Sequence, residues 1–503
     1  MKRLLIPLTA TALSAAALAV PASAAVPTWA SDPLAPKPAD GYSNANFWLD
    51  ANGAALRKAT QYHWDAKAVN KVVVAKASDQ PDDGKPGSTA PATNAPAGAK
   101  VKNVNLPRTI GKVFFLDNKG EYHWCSATSI QSRHRNLVAT AGHCVFENGK
   151  DDVYDKWVFV PGYYQGKAPW GVYAGAYAFT AYDLDTYDDY DGDFAFVAVH
   201  NGFRFNGQKQ VGKAEYDKWT GDKWVKDVAI DAATYQKCVD LNGGETADCW
   251  AKLSTTADIV GPDYKGDKKR AYKEVEKEQF DKAPKGDGNG TQAADKMVVD
   301  HVTQSEYKAY KGPGYQKIDA QGNFTITHYF LKYWVKETAK TDYLRTVFYV
   351  GLAKDTGRLG DAVGGQGVAW NQPLGQQVTV FGYPGEPHPD GHKAFTGVTP
   401  KWCYGKTGTK TYQANTFRVE THQVLKCSMT GGADGGPWLL RYSNSKRTGY
   451  LNGVTSMFHD QDGNDRVDTI SSPYFDGEVA DVYNKANYAE TKPVVGPNGE
   501  LLK

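Results

Sequence analysis

The chain has 503 residues, enough for a large core and, by length alone, roughly three folding units. Its formal net charge is +2 with both signs spread along the chain, which excludes the clustered basic footprint of a nucleic-acid binder. Beyond the N-terminus no stretch reaches the roughly 20 apolar residues needed to span a bilayer, so neither nucleic acid nor membrane is expected as a partner.

Met1, Lys2 and Arg3 supply positive charge, residues 4–20 are apolar and Ala-rich, and residues 21–24 end in a small-x-small pattern. This three-part order predicts a signal peptide over 1–24 and a secreted, extracellular mature protein. Six cysteines, Cys125, Cys144, Cys238, Cys249, Cys403 and Cys427, form an even set that suggests three disulfides, with fifteen pairings open. No CxxC pair occurs, so no zinc site is expected, and no cofactor is called for.

Residues 25–100 read as a pro-region or N-terminal appendage with a flexible linker. Helical character centres on 54–62, and 76–100 is rich in Pro, Gly, Ala, Ser and Asp without periodicity. Short strands follow, with 112–116 and 122–130 flanking a turn at 117–120, and the same texture returns from about 357 to 470. Between them, 205–356 is a charged insertion of mixed α/β character. Within it 267–283 reads as an exposed charged helix, and 323–350 as strands rich in Tyr, Phe and Thr. Cys238 and Cys249 are expected to staple a loop inside this insertion. Residues 475–486 predict an amphipathic helix, and 486–503 a polar tail.

Three blocks carry chemistry. Thr140-Ala141-Gly142-His143-Cys144 follows an apolar run at 136–139. Asp193-Phe194-Ala195 opens a strand after an acid-rich loop. Gly432-Ala433-Asp434-Gly435-Gly436-Pro437 lies within a longer run from Cys427 to Trp438. In this order they resemble the secreted bacterial trypsin- or chymotrypsin-like serine peptidases, and the text around Gly431–Gly432 and Pro437–Trp438 resembles their glutamyl-endopeptidase-like branch. The resemblance spans about 101–204 and 357–485. It implies a mainly β fold, a chymotrypsin-like double β-barrel with the large mixed α/β insertion and a C-terminal helix. It further implies a Cys125–Cys144 bridge, His143 as general base, and Asp193 as the carboxylate that fixes and stabilises the imidazole. The backbone N–H groups of Gly432 and residue 434 would form the oxyanion hole. Ser456 would support Asp193, and Ser428 would lie near the base of the primary specificity pocket.

The family's nucleophilic serine position holds Asp434. Peptide hydrolysis needs a hydroxyl that the histidine can deprotonate as it attacks the carbonyl. A carboxylate has no such proton near neutral pH, its attack on an amide would require an anhydride, and it would compete for the oxyanion-hole donors. Two carboxylates flanking His143 should raise its pKa and make it a poor base. Phe458 follows where the family keeps a small residue, and is expected to plug the pocket. Thr455 stands where the glutamyl-specific members place a histidine, and Ser428 offers no charge for Lys or Arg, so neither specificity is supported. The expected protein is a catalytically dead or strongly impaired peptidase homologue acting in binding, with a protein or peptide as substrate or ligand. The alternatives are an active extracellular endopeptidase and, more remotely, a metal held by His143 and the two carboxylates. Asp460-Gln461-Asp462-Gly463-Asn464-Asp465 reads as a polar turn rather than a calcium loop, because its glycine comes too early.

Overall fold

The structure is a computed structural model that describes residues 27–62, 71–75, 84–92, 106–147, 149–150, 152–286, 292–319, 323–391, 393–414 and 417–502. The expected signal peptide and much of the expected linker (76–83 and 93–100) lie outside the described residues. Among the described residues no helix is long and apolar enough to cross a membrane. The chain divides into two compact units, one of residues 1–208, 219–222 and 351–503, the other of 209–218 and 223–350.

The first unit opens with strand β1 (Trp29–Pro33), helix α1 (Pro38–Lys58) and the two-residue strand β2 (Thr60–Gln61). The helix expected around 54–62 therefore starts earlier and ends at Lys58. Trp48 on α1 is fully buried, and its Nε1 donates to the Lys156 carbonyl at 2.6 Å. Six strands then close a barrel: β3 (Ile110–Leu116), β4 (Tyr122–Ile130), β5 (Leu137–Thr140), β6 (Asp155–Pro161), β7 (Tyr173–Ala181) and β8 (Ala195–Val199). Pairing runs β7–β6–β3–β4–β5–β8 and returns from β8 to β7, so no edge remains between them. These strands are apolar runs of Val, Phe and Ala, as both faces demand when one lines the barrel and the other is covered. β1 continues the sheet along residues 177–181 of β7, beyond the short stretch at 173–174 that pairs with β6.

The second unit is built on one spine, strand β14 (Phe324–Gly357), whose residues 324–350 fall in it. Strands β9 (Lys223–Ala229), β10 (Trp250–Val260), β11 (Lys269–Val275), β12 (Gln292–Val302) and β13 (Tyr315–Ile318) pair antiparallel along it in turn. Leu344 is matched by both Ala229 and Trp250, Trp334 by both Val260 and Arg270, and Thr327 by both Val299 and Tyr315. Successive strands therefore alternate between the two edges of the spine. Short helices pack one tilted aromatic ring each against it, Tyr216 on Phe348, Tyr235 on Tyr343, Phe280 on Tyr329 and Tyr307 on Phe324. The charged helix expected at 267–283 is corrected. Lys269–Val275 is a strand and only Lys277–Lys282 is helical. Alternation of Arg270, Tyr272 and Glu274 against Ala271, Lys273 and Val275 suits pairing with the spine better than a helical face. Likewise the strands expected over 323–350 are one continuous strand, Phe324–Gly357. Cys238–Cys249 ties the helix Ala232–Asn242 to the residue before β10.

The chain returns to the first unit as strands β15 (Gln377–Gly382), β16 (Lys401–Lys406), β17 (Val419–Lys426), β18 (Pro437–Ser443), β19 (Thr448–Val454), β20 (Met457–His459) and β21 (Thr469–Ser472). One sheet runs β16–β15–β18–β19 and another β20–β21–β17, and together they enclose a core that includes Val380, Leu425, Trp438 and Ile470. The expected class, mainly β with two barrels, a mixed α/β insertion and a C-terminal helix, is the one adopted. That helix is α2 (Gly477–Ala486), and Asp476 caps it by accepting from the N–H groups of Glu478 and Val479. Asp476→Ala should lower stability by about 1 kcal/mol, read as a reduced midpoint in denaturant at unchanged slope. A cost near zero would remove the cap from the account.

Candidate active site

His143 sits in a one-turn 3-10 helix (Gly142–Cys144) directly after β5, and the Cys125–Cys144 disulfide ties that turn to β4. The turn is tight: a Cβ on Gly142 would lie 2.1 Å from Leu184 Cδ2. Asp193 lies between the turn Tyr190–Gly192 and β8. Its Oδ1 accepts the His143 backbone N–H at 2.9 Å, and its Oδ2 lies 2.8 Å from His143 Nδ1. The same Oδ2 accepts from the hydroxyl of Ser456. Asp193, buried without exposed surface, is thereby supplied with donors, which a buried carboxylate requires.

The loop carrying Asp434 joins β17 to β18. Gly432 (φ +90°) and Gly435 (φ +75°) take the left-handed region that favours glycine. Side chains are excluded there as well, since a Cβ on Gly435 would stand 2.0 Å from Thr140 Oγ1. Strand β4 grips this loop. Ser126 N–H donates to the Asp434 carbonyl at 2.7 Å, and Ser126 Oγ donates to the Gly432 carbonyl at 2.7 Å.

The Asp434 side chain spans the site. Oδ1 is 3.4 Å from His143 Nε2, an ion pair rather than a well-formed hydrogen bond. Oδ2 accepts the Gly432 N–H at 2.8 Å. His143 and Asp434 are each only 2 % exposed. Burial by itself would disfavour the imidazolium, but Asp193 and then Asp434 outweigh it, and the His143 pKa is pushed up to about 9. Burial likewise works against an ionised Asp193, yet the His143 charge and the Ser456 and backbone donors hold its carboxyl below the usual range.

The cleft residues separate. Ser456 joins the cluster, whereas Ser428 is half-buried between the buried Cys427 and Met429. Phe458 pairs in register with Ile470 and packs in the second-barrel core with Met429 and Leu425. The third disulfide joins Cys403 to Cys427. Asp460 directs its carboxylate to the N–H groups of Gly463, Asn464 and Asp465, the hydrogen-bonding of a polar turn.

Sequence reading missed several neighbours. The His143 ring lies between Tyr62 (6.2 Å, 26° between planes) and Tyr190 (6.4 Å, 33°). The Tyr190 carbonyl is held by buried His422 Nε2 at 2.9 Å, and His422 Nδ1 and His459 Nε2 both meet Ser471 Oγ, at 3.0 and 2.8 Å. No local motif marks these residues, because their partners are distant in the chain.

No protein-family model and no curated protein matches the chain. Among solved structures it is similar to the protease Anisep from Arthrobacter nicotinovorans, at 18% identity and TM-score 0.40, over 76% of this chain and 98% of that one. It is similar to the thermostable serine protease AL20 from an extremophilic microorganism at 18% identity and TM-score 0.39, over 76% and 98% of the two chains. A Glu endopeptidase matches at 10% identity and TM-score 0.36, over 78% of this chain and 96% of its own.

Proposed function

We propose that this chain is a secreted serine-peptidase homologue that no longer hydrolyses peptide bonds and acts by binding polypeptide. One observation carries the reading: the Asp434 carboxylate lies between His143 Nε2 and the Gly432 N–H. The base and the expected oxyanion donor are thus both engaged by the group that replaces the nucleophile. An imidazolium cannot take a proton, and a carboxylate in the hole opposes a second negative charge. The retained His143–Asp193–Ser456 chain is then structural, a buried ion pair that orders the cleft.

The test is hydrolysis of casein or a peptide by the purified wild-type chain beside Asp434→Ser. Activity in the serine variant alone supports the reading, and equal activity in both refutes it in favour of an active endopeptidase. Wild-type activity abolished by a chelator would point instead to a metal at His143.

A further inference from the structure

The His143 imidazole is closed from solvent partly by the N-terminal segment of this same chain. Directly after α1, Thr60 and Gln61 add to β4 as a short parallel strand, in register with His123 and Trp124. The next residue, Tyr62, donates its backbone N–H to the Trp124 carbonyl at 3.0 Å. Trp124 immediately precedes Cys125 and Ser126, which hold the His143 turn and the Asp434 loop. A strand added at Trp124 therefore runs beside the His143 turn and the Asp434 loop.

The side chains complete the seat. The Tyr62 ring stacks on His143, meets Phe115 and Tyr154 edge-on, and shares a 2.6 Å hydrogen bond between its hydroxyl and that of Tyr154. Gln61 faces the other wall. A Cβ on Gly432 would stand 3.1 Å from Gln61 Cβ, and one on Gly385 would stand 3.2 Å from Gln61 Oε1. The segment thus touches both the base and the loop of the replaced nucleophile.

We propose that Thr60–Tyr62 is an intramolecular occupant of the cleft, and that the seat it fills takes an extended polypeptide presenting an aromatic side chain to His143. Main-chain pairing to a strand is indifferent to sequence, and the slot for the Tyr62 ring supplies selectivity. The inference rests on the reading of the cleft as a polypeptide-binding site. The tether is short, since α1 ends at Lys58 and its buried Leu56 lies only four residues before Thr60. Its effective concentration is therefore high, and a free peptide competes poorly until the segment is weakened.

The experiment titrates a fluorescently labelled peptide of residues 56–62 (Leu-Arg-Lys-Ala-Thr-Gln-Tyr) against the full-length secreted chain, with anisotropy as readout. Tyr62→Ala and Gln61→Gly should each bind it at least about tenfold more tightly than wild type, because the competing occupant is weakened. Tyr62→Phe keeps the ring but loses the hydrogen bond to Tyr154, and should bind more tightly than wild type yet less tightly than Tyr62→Ala. Two variants are used because Tyr62→Ala also removes contacts to Phe115 and Tyr154; if it fails to fold, Gln61→Gly decides. Equal affinity for wild type and the folded opened variants overturns the proposal. Peptide binding needs no nucleophile. Hydrolysis by wild-type chain would therefore sink the dead-peptidase reading alone, and unchanged affinities would sink this one alone.

Discussion

Asp434→Ser is expected to cleave casein or an activated ester at least about 10³ times faster than the wild-type chain. Losing the serine of a serine protease of another fold costs about 10⁶ in turnover. The background that survives such a loss, about 10³–10⁴ over water, comes from substrate binding and the oxyanion hole. Here Asp434 Oδ2 takes the Gly432 N–H, so part of that background is forfeited as well. The substitution supplies a hydroxyl within reach of His143 Nε2 and releases that donor. The remaining parts are in place, with His143 Nδ1 at 2.8 Å from Asp193 and Ser456 donating to the same carboxylate. The expected gain is set below the full 10⁶ because Thr60–Tyr62 still lies in the cleft, and adding Tyr62→Ala should raise the rate for protein substrates further. Asp434→Ala frees the donor without providing a nucleophile and should gain little. A serine variant as inert as the alanine variant would mean that the scaffold lacks more than its nucleophile.

The second large effect is on stability against pH. The His143 pKa rises on folding from its ordinary value of 6.5 to about 9. A group whose pKa is raised on folding contributes its full stability below the unfolded pKa and loses it as pH climbs through the folded one. Stability should therefore fall between about pH 6.5 and pH 9, by on the order of 3 kcal/mol from this group. Glu478 acts over an overlapping, lower window, from about pH 4.5 to about pH 8, because burial and neighbouring Asp476, Asp183, Asp191 and Asp189 push its carboxyl up to about 8. Its loss has the same sign, so wild type must be compared with Asp434→Asn, which leaves Glu478 untouched. Removing one of the two carboxylates should lower the His143 pKa by about one unit and flatten the decline by about 1 kcal/mol. NMR titration of His143 and denaturant unfolding at pH 6 and 9.5 read both. A His143 pKa at or below 6.5 in the wild-type chain would contradict the ion-pair account.

Much of the site was legible because its parts are local. The glycines around Asp434, the His143–Cys144 pair and the strand opened by Asp193 each announce a backbone geometry within a few residues. The strands of the first barrel were legible for the same reason, since 112–116 and 122–130 are apolar runs broken by a turn. The insertion was read less well. Charge at 267–283 suggested a helix, but Lys269–Val275 gains its backbone partners from a spine more than fifty residues away. Pairing satisfies every N–H and C=O on that side, and local propensity does not compete with it.

By itself, then, the sequence determined the order of the His143, Asp193 and Asp434 motifs and, through them, the expectation that Asp434 takes the nucleophile position, because motif order and residue identity are one-dimensional facts. Only the tertiary structure decided what that carboxylate does. It lies 3.4 Å from His143 Nε2 and accepts the Gly432 N–H, two contacts that depend on how strand β4 holds the loop through Ser126. Only the tertiary structure, too, brought Tyr62 onto His143. The two lie far apart in the chain, and nothing in the residues around Tyr62 encodes the parallel pairing of Thr60–Gln61 with His123–Trp124. Such a contact is fixed by where helix α1 packs, through the burial of Trp48, and that is a property of the folded core rather than of any local pattern.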